Sequence, residues 1–171
     1  MNVIQQIRVE KITLNMGTGG PGEKMEKAIR LLKNITGRKP VQTKTKKRIP
    51  SWGIRPGLSI GSKVTMRKKN AEEFLLRLLQ AKNNILLRKH FDENGNFSFG
   101  IAEYLDIPVA EYDMQVGIIG FEVAVTLSRP GYRIAKRRIN RKKLPKKMRI
   151  TKEEAIAFMK SKYSLMIKEE D

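Results

Sequence analysis

The sequence contains no cysteine and one histidine, His90. The first absence excludes structural disulfides and a zinc site built on thiolates, and suits a reducing compartment. The second leaves little room for imidazole chemistry. His90 stands beside Lys89 and reads as a surface or RNA-facing residue, although Ser and Asp residues occur elsewhere in the chain. No apolar run nears the ~20 residues of a membrane-spanning helix. The opening MNVIQQIRVEK lacks the apolar stretch of a signal peptide. The most informative gap is in negative charge. No Asp or Glu occurs from Ala28 to Ala71, and none from Arg129 to Arg149. The carboxylates that remain show no metal-type spacing and no cluster of the kind a two-metal nuclease needs, so no metal or other cofactor is expected.

Positive charge is abundant. The 171 residues carry 36 Lys and Arg against 17 Asp and Glu, a formal net charge of +19. The sequence pI is about 10.3. Solubility does not require so large an imbalance, which points to a polyanionic partner. The two acid-free segments hold 13 and 11 of the cations. Mixed-sign charge runs are commonly solvated faces, but runs without acids repel themselves and call for phosphate. Two such blocks imply two phosphate-contacting surfaces. No helix-turn-helix, zinc finger or basic zipper is present, and the charges fall on loops and strands. That placement suits irregular RNA better than a DNA major groove. A free-standing RNA-processing enzyme or chaperone could use the same charge, but it would need an acid–histidine constellation that is not found.

The chain is organised around Arg38 to Lys69. Two strand-like stretches, Pro40 to Lys44 and Ile60 to Met66, flank a loop punctuated by Pro50, Gly53, Pro56, Gly57 and Gly61. The loop carries Lys46, Lys47, Arg48, Trp52 and Arg55. Trp52 is either an anchor beneath the loop or a stacking platform. Before it, Ile7 to Met16 alternates as a strand. A helix over Glu23 to Thr36 follows, with Met25, Ala28, Ile29, Leu32 and Ile35 as its apolar stripe and Gly37 past its end. Gly17 and Gly22 have the spacing of a phosphate-binding loop, but Glu23 stands where that motif needs lysine and would repel a nucleotide. The segment therefore reads as a tight turn.

A second helix is expected over Ala71 to Asn83, with Asn70 as N-cap and Glu73 completing a capping box. Ile85 to Leu87 reads as strand or as a continuation of that helix. Asn94-Gly95 reads as a turn into a short strand. Val116 to Leu127 reads as a central strand, with Gly117 and Gly120 marking a bulge or a close approach to another backbone. Thr151 to Glu154 is a capping box opening a last helix with Ala155, Met159, Tyr163 and Met166 on one face. The tail from Lys168 reads as frayed.

These residues resemble the fifth large-subunit ribosomal protein family, the universal binder of 5S ribosomal RNA. The matching segments are LNMGTG (Leu14 to Gly19), ITGRKPVQTKTKK (Ile35 to Lys47), IRPGLSIGSKVTMR (Ile54 to Arg67) and FDENGNFSFGI (Phe91 to Ile101). RPGYRIAKRR and ITKEEAIAFMKSKY are similar to the archaeal and eukaryotic branch. The resemblance implies one domain over 1–171, with a basic extension over 129–150 and a terminal helix over 151–167. It implies an α+β, two-layer fold, an antiparallel sheet with helices packed on one face and a long projecting basic loop. The other face would receive 5S rRNA through Asn15, Arg38, Lys63, Thr65 and Arg67. Arg38 stands where the family has glutamine. The loop residues Lys44, Lys46, Lys47, Arg48, Trp52 and Arg55 would reach peptidyl-site tRNA and a small-subunit head protein. Arg129, Arg133, Lys136, Arg137, Arg138, Arg141, Lys142, Lys143, Lys146 and Lys147 would contact phosphates of large-subunit rRNA. The implied setting is the central protuberance of the cytoplasmic large subunit, among neighbouring ribosomal proteins, with no catalysis, membrane or homo-oligomer.

Overall fold

The structure, a computed structural model, describes residues 3–108 and 110–169. Its regular elements are β1 (Arg8–Gly17), α1 (Glu23–Thr36), β2 (Val41–Lys44), β3 (Ser59–Arg67), α2 (Lys69–Gln80), β4 (Ile85–Leu87), β5 (Phe97–Ile101), β6 (Phe121–Ser128), α3 (Lys152–Tyr163) and β7 (Met166–Lys168). Five strands pair in the order β2-β3-β1-β6-β5, and β4 pairs with β7. The fold is α+β, with a mostly antiparallel main sheet. Along β3, β5 and β6 burial alternates, so one side of each strand is covered and the other is open. In β1 the phase slips by one residue between Val9 and Ile12.

The chain divides into two compact units. One comprises Thr13–Met66 and Gly100–Val123. Its helix α1 begins with Glu23 and Glu26 in the first turn, where carboxylates favour the positive end of the helix dipole. It ends at Gly37, whose φ of 65° lets its N–H reach the Lys33 carbonyl at 2.8 Å. Met25, Ala28, Leu31 and Leu32 are buried, so the packed face includes Leu31, while Ile29 and Ile35 are only half-buried. In the same unit β2 runs antiparallel to β3, with Val41 opposite Lys63 and Thr43 opposite Gly61. The register then shifts, so that Lys44 faces Ser59 and Ile60 has no partner on β2. The Ile60 carbonyl instead accepts the N–H groups of Thr18 and Gly19 at 2.9 and 3.2 Å.

The expected strand over Val116 to Leu127 begins five residues later, at Phe121. The reason is Asp113, whose carbonyl accepts the N–H groups of Val116 and Gly117 and winds the chain into a turn. Its carboxylate takes Arg30 Nε at 2.7 Å and Asn34 Nδ2 at 3.3 Å, and its own N–H donates to the Tyr104 hydroxyl at 3.0 Å. Gly120 makes the close approach foreseen for it. A Cβ there would sit 2.5 Å from the Ala102 carbonyl oxygen.

The other unit comprises Met1–Ile12, Arg67–Phe99 and Ala124–Asp171. Its helix α2 starts at Lys69, not at Ala71, and Asn70 does not cap it. The residue before it is Lys68, at φ 61° and ψ −147°, and no side chain caps the end. Burial of Ala71, Phe74, Leu75, Leu78 and Leu79 holds the helix in place of a cap. It stops at Gln80, and Asn83 and Asn84 take positive φ. Ile85–Leu87 is therefore strand. It pairs in parallel with β7, Leu86 opposite Ile167. This overturns the reading of Lys168 as frayed. Glu170 and Asp171 lie outside the described residues. Met166 does not belong to the face of α3 either. Ser164, at φ 51°, ends the helix after Tyr163, so Leu165 is buried and Met166 is exposed. The capping box of α3 is present, with the Thr151 hydroxyl accepting the Glu154 N–H and the Glu154 carboxylate accepting the Thr151 N–H.

Candidate nucleic-acid interface

Three basic surfaces emerge from these elements. The first is the open side of β1 and β3. Ser62, Val64 and Met66 are buried, which turns Lys63, Thr65 and Arg67 outward. A Cβ on Gly61 would lie 3.5 Å from the Gly17 Cα, so the end of β1 runs beside the start of β3. Asn15 is an exposed position of β1 between the buried Leu14 and Met16, and on the neighbouring β2 Val41 is the partner of Lys63. Asn15, Lys63 and Arg67 are exposed, and Thr65 is half-buried. Val41 is 60% exposed. An apolar side chain so open, beside a lysine, was not legible before the register was known. Arg38 is exposed directly after the left-handed Gly37, with its N–H on the Thr36 hydroxyl at 3.3 Å.

The second surface is the loop between β2 and β3. Thr45 and Leu58 close it at the base, with a 2.9 Å bond from the Thr45 N–H to the Leu58 carbonyl. Nearer the tip, Ile49 and Ile54 form an antiparallel bridge with bonds of 2.9 and 3.0 Å. Pro50–Trp52 makes a single 3-10 turn that ends on Gly53 at φ 63°. The loop is thus a pinned hairpin in which Ile54 is buried. Lys44, Lys46, Lys47, Arg48 and Arg55 are exposed and make no ion pair among the described residues. Trp52 is 73% exposed. It does not anchor the loop from beneath, and its ring is available for stacking.

The third surface is the segment 129–149. Arg133, Arg137, Arg138, Arg141, Lys142, Lys143, Lys146 and Lys147 are exposed. Two members of the set are already held in ion pairs among the described residues. Lys136 Nζ contacts both carboxylate oxygens of Glu10, at 2.6 and 2.7 Å. Arg129 is buried and pairs with Glu154 at 2.8 Å. The Thr151 N–H, with the Arg129 guanidinium as a second contributor, holds the Glu154 carboxyl below its ordinary range. Sequence reasoning found Glu154 as a capping residue, but nothing in the spacing of the chain shows that its second oxygen meets Arg129.

The described residues hold no group of three or more potential metal ligands. No described helix is long and apolar enough to cross a membrane.

Comparison with known families covers nearly the whole chain. Residues 2–55 match the family profile described as ribosomal protein L5, and residues 59–158 match the profile of the same family's C-terminus. The chain belongs to the ribosomal L5 family. Similar proteins include the large ribosomal subunit protein uL5 of Sulfolobus acidocaldarius, 46% identical over 98% of this chain and 94% of that protein. The uL5 protein of Nanoarchaeum equitans is 47% identical over 96% of this chain and 97% of its own length. That of Methanoregula boonei is 43% identical over 96% and 100%. These relatives place the chain in the archaeal branch of the family.

Proposed function

We infer that this chain is a structural, non-enzymatic constituent of the cytoplasmic large ribosomal subunit, where it binds RNA in the service of translation. Its finer role is to hold 5S rRNA on the open side of β1 and β3 through Asn15, Lys63, Thr65 and Arg67, with Arg38 at the margin. The hairpin bearing Lys44, Lys46, Lys47, Arg48, Trp52 and Arg55 meets peptidyl-site tRNA and a small-subunit head protein. The segment 129–149 meets large-subunit rRNA. The observation that carries the reading is the outward row on β3, where Lys63, Thr65 and Arg67 alternate with the buried Ser62, Val64 and Met66. Short side chains lose little rotamer freedom on binding and form hydrogen bonds that a buried RNA edge requires. Footprinting of the purified protein on 5S rRNA, with Asn15→Ala and Thr65→Val beside wild type, tests it. Each variant should weaken binding by about 1 kcal/mol, the net worth of one hydrogen bond, with little change in melting temperature. Wild-type affinity in both variants sinks the assignment.

A further inference from the structure

The basic segment is closed from inside the protein. At its start Arg129 is 8% exposed, and its Nη2 donates to Glu154 Oε1 at 2.8 Å while Nη1 lies 3.5 Å from the Arg149 carbonyl. Near its end the Met148 carbonyl accepts the Tyr132 hydroxyl at 2.8 Å. Ile150, the next residue after the segment, is buried. Both ends therefore meet at the first turn of α3, whose cap Glu154 itself completes. Within the segment, Lys142 donates its N–H to the Ile134 carbonyl at 3.3 Å, and Arg137 Nε donates to the Asn140 carbonyl at 2.8 Å.

We propose that Arg129 and Glu154 are positioning residues that fix the shape of the basic loop before RNA arrives, and that Arg129 is not itself a phosphate ligand. The proposal rests on the reading of segment 129–149 as an rRNA surface. Eleven cations without an acid repel one another, and a loop held only at its peptide bonds would spread. Ordering such a loop on binding would weaken the complex, whereas a loop closed in advance avoids that loss. The guanidinium suits the task because its planar fork meets a carboxylate and a carbonyl together. Burial of this group is not otherwise favourable, since its Nε has no partner among the described residues. Packing alone would be served as well by an apolar residue.

The test uses the full chain and large-subunit rRNA in a salt series, with hydrogen exchange over residues 130–149. Arg129→Met leaves Glu154 partly exposed and still capping α3, so the helix end survives. Binding should weaken about tenfold while the log–log salt slope stays that of wild type. Exchange in the loop should quicken, and Arg129→Lys should recover part of the affinity. Glu154→Gln, which keeps every cation, should weaken binding in the same way. A slope reduced by roughly 0.7–0.9 in Arg129→Met means a lost phosphate contact and overturns the proposal. So does unchanged affinity alongside faster exchange, which makes the pair a stability device only. Tighter binding by Glu154→Gln, from a released Arg129, overturns it as well. Neutralising Lys142, Lys143, Lys146 and Lys147 together checks the parent reading separately. An unchanged slope there removes the segment from the RNA interface, and the proposal falls with it.

Discussion

Gly61→Ala is the most demanding perturbation of the open sheet face, because one methyl group has nowhere to go. A Cβ at Gly61 would stand 2.6 Å from the Met16 carbonyl oxygen and 2.9 Å from the Thr43 hydroxyl. Ordinary contact begins near 3.4 Å, so the methyl is about 0.8 Å too close to a backbone atom. Thr43 can rotate away, but the Met16 carbonyl belongs to β1 and moves only with its strand. Separating β1 from β3 would stretch the Thr18 and Gly19 bonds to the Ile60 carbonyl, now 2.9 and 3.2 Å. Overpacking of this kind destabilises by about 1–3 kcal/mol. For a chain of this length each kcal/mol lowers the melting temperature by about 2–4 °C, which gives a fall of about 2–12 °C. Gly100→Ala is the control, since a Cβ there meets nothing within 4 Å. Its effect should lie within about 0.5 kcal/mol of zero. Thermal and urea denaturation of the three proteins decides the matter, and 5S rRNA affinity should fall for Gly61→Ala alone. Equal stability of Gly61→Ala and wild type, or equal loss in both variants, refutes the steric argument.

Replacing Lys46, Lys47, Arg48 and Arg55 together by Gln should weaken tRNA binding to reconstituted ribosomes at low salt and leave 5S rRNA affinity near normal, with the difference fading as salt screens the contacts. Substitution is preferable to deletion here because Ile54 of the same hairpin is buried. Loss of 5S rRNA binding with intact tRNA binding would move the hairpin onto the ribosomal RNA. Tyr163 carries a buried hydroxyl without a partner among the described residues, so Tyr163→Phe should equal wild type at neutral pH or exceed it by up to about 1–3 kcal/mol. Burial, followed by the Glu72 charge, pushes the Tyr163 phenol up to about 12. Its contribution is therefore intact below pH about 10, the unfolded value, and is lost as pH rises toward 12. Denaturation across that window should show a smaller alkaline loss in Tyr163→Phe, and identical alkaline profiles would contradict the assignment.

Elements with a local cause were legible in the sequence. Helix α1 has the bounds its apolar period and the following glycine indicated, and the capping box of α3 is where Thr151 and Glu154 placed it. Misreadings arose where a distant contact decided the outcome. The start of β6 depends on the Asp113 turn, which Arg30 and Asn34 hold from α1. The strand character of Ile85–Leu87 depends on β7, some eighty residues away in sequence. The stop after Tyr163 falls on a left-handed serine, and no glycine or proline announces it. For the candidate site, the cationic blocks could be read from the absence of acids. Which cations remain free could not, because Glu10 and Glu154 reach their partners only in the folded chain.

Trp52 has a spectroscopic consequence. It is the only tryptophan in the chain, and it stands in water on the hairpin rather than in the core. Its emission in the free protein should be that of a solvated indole, and it should change little when the core melts. Intrinsic fluorescence is thus a poor gauge of unfolding for this protein, and circular dichroism or calorimetry must take its place. The same property makes the indole a native reporter of hairpin occupancy. An RNA base stacking on the ring would quench it, so a titration would follow the hairpin alone, without a label, and would not register binding at the sheet face.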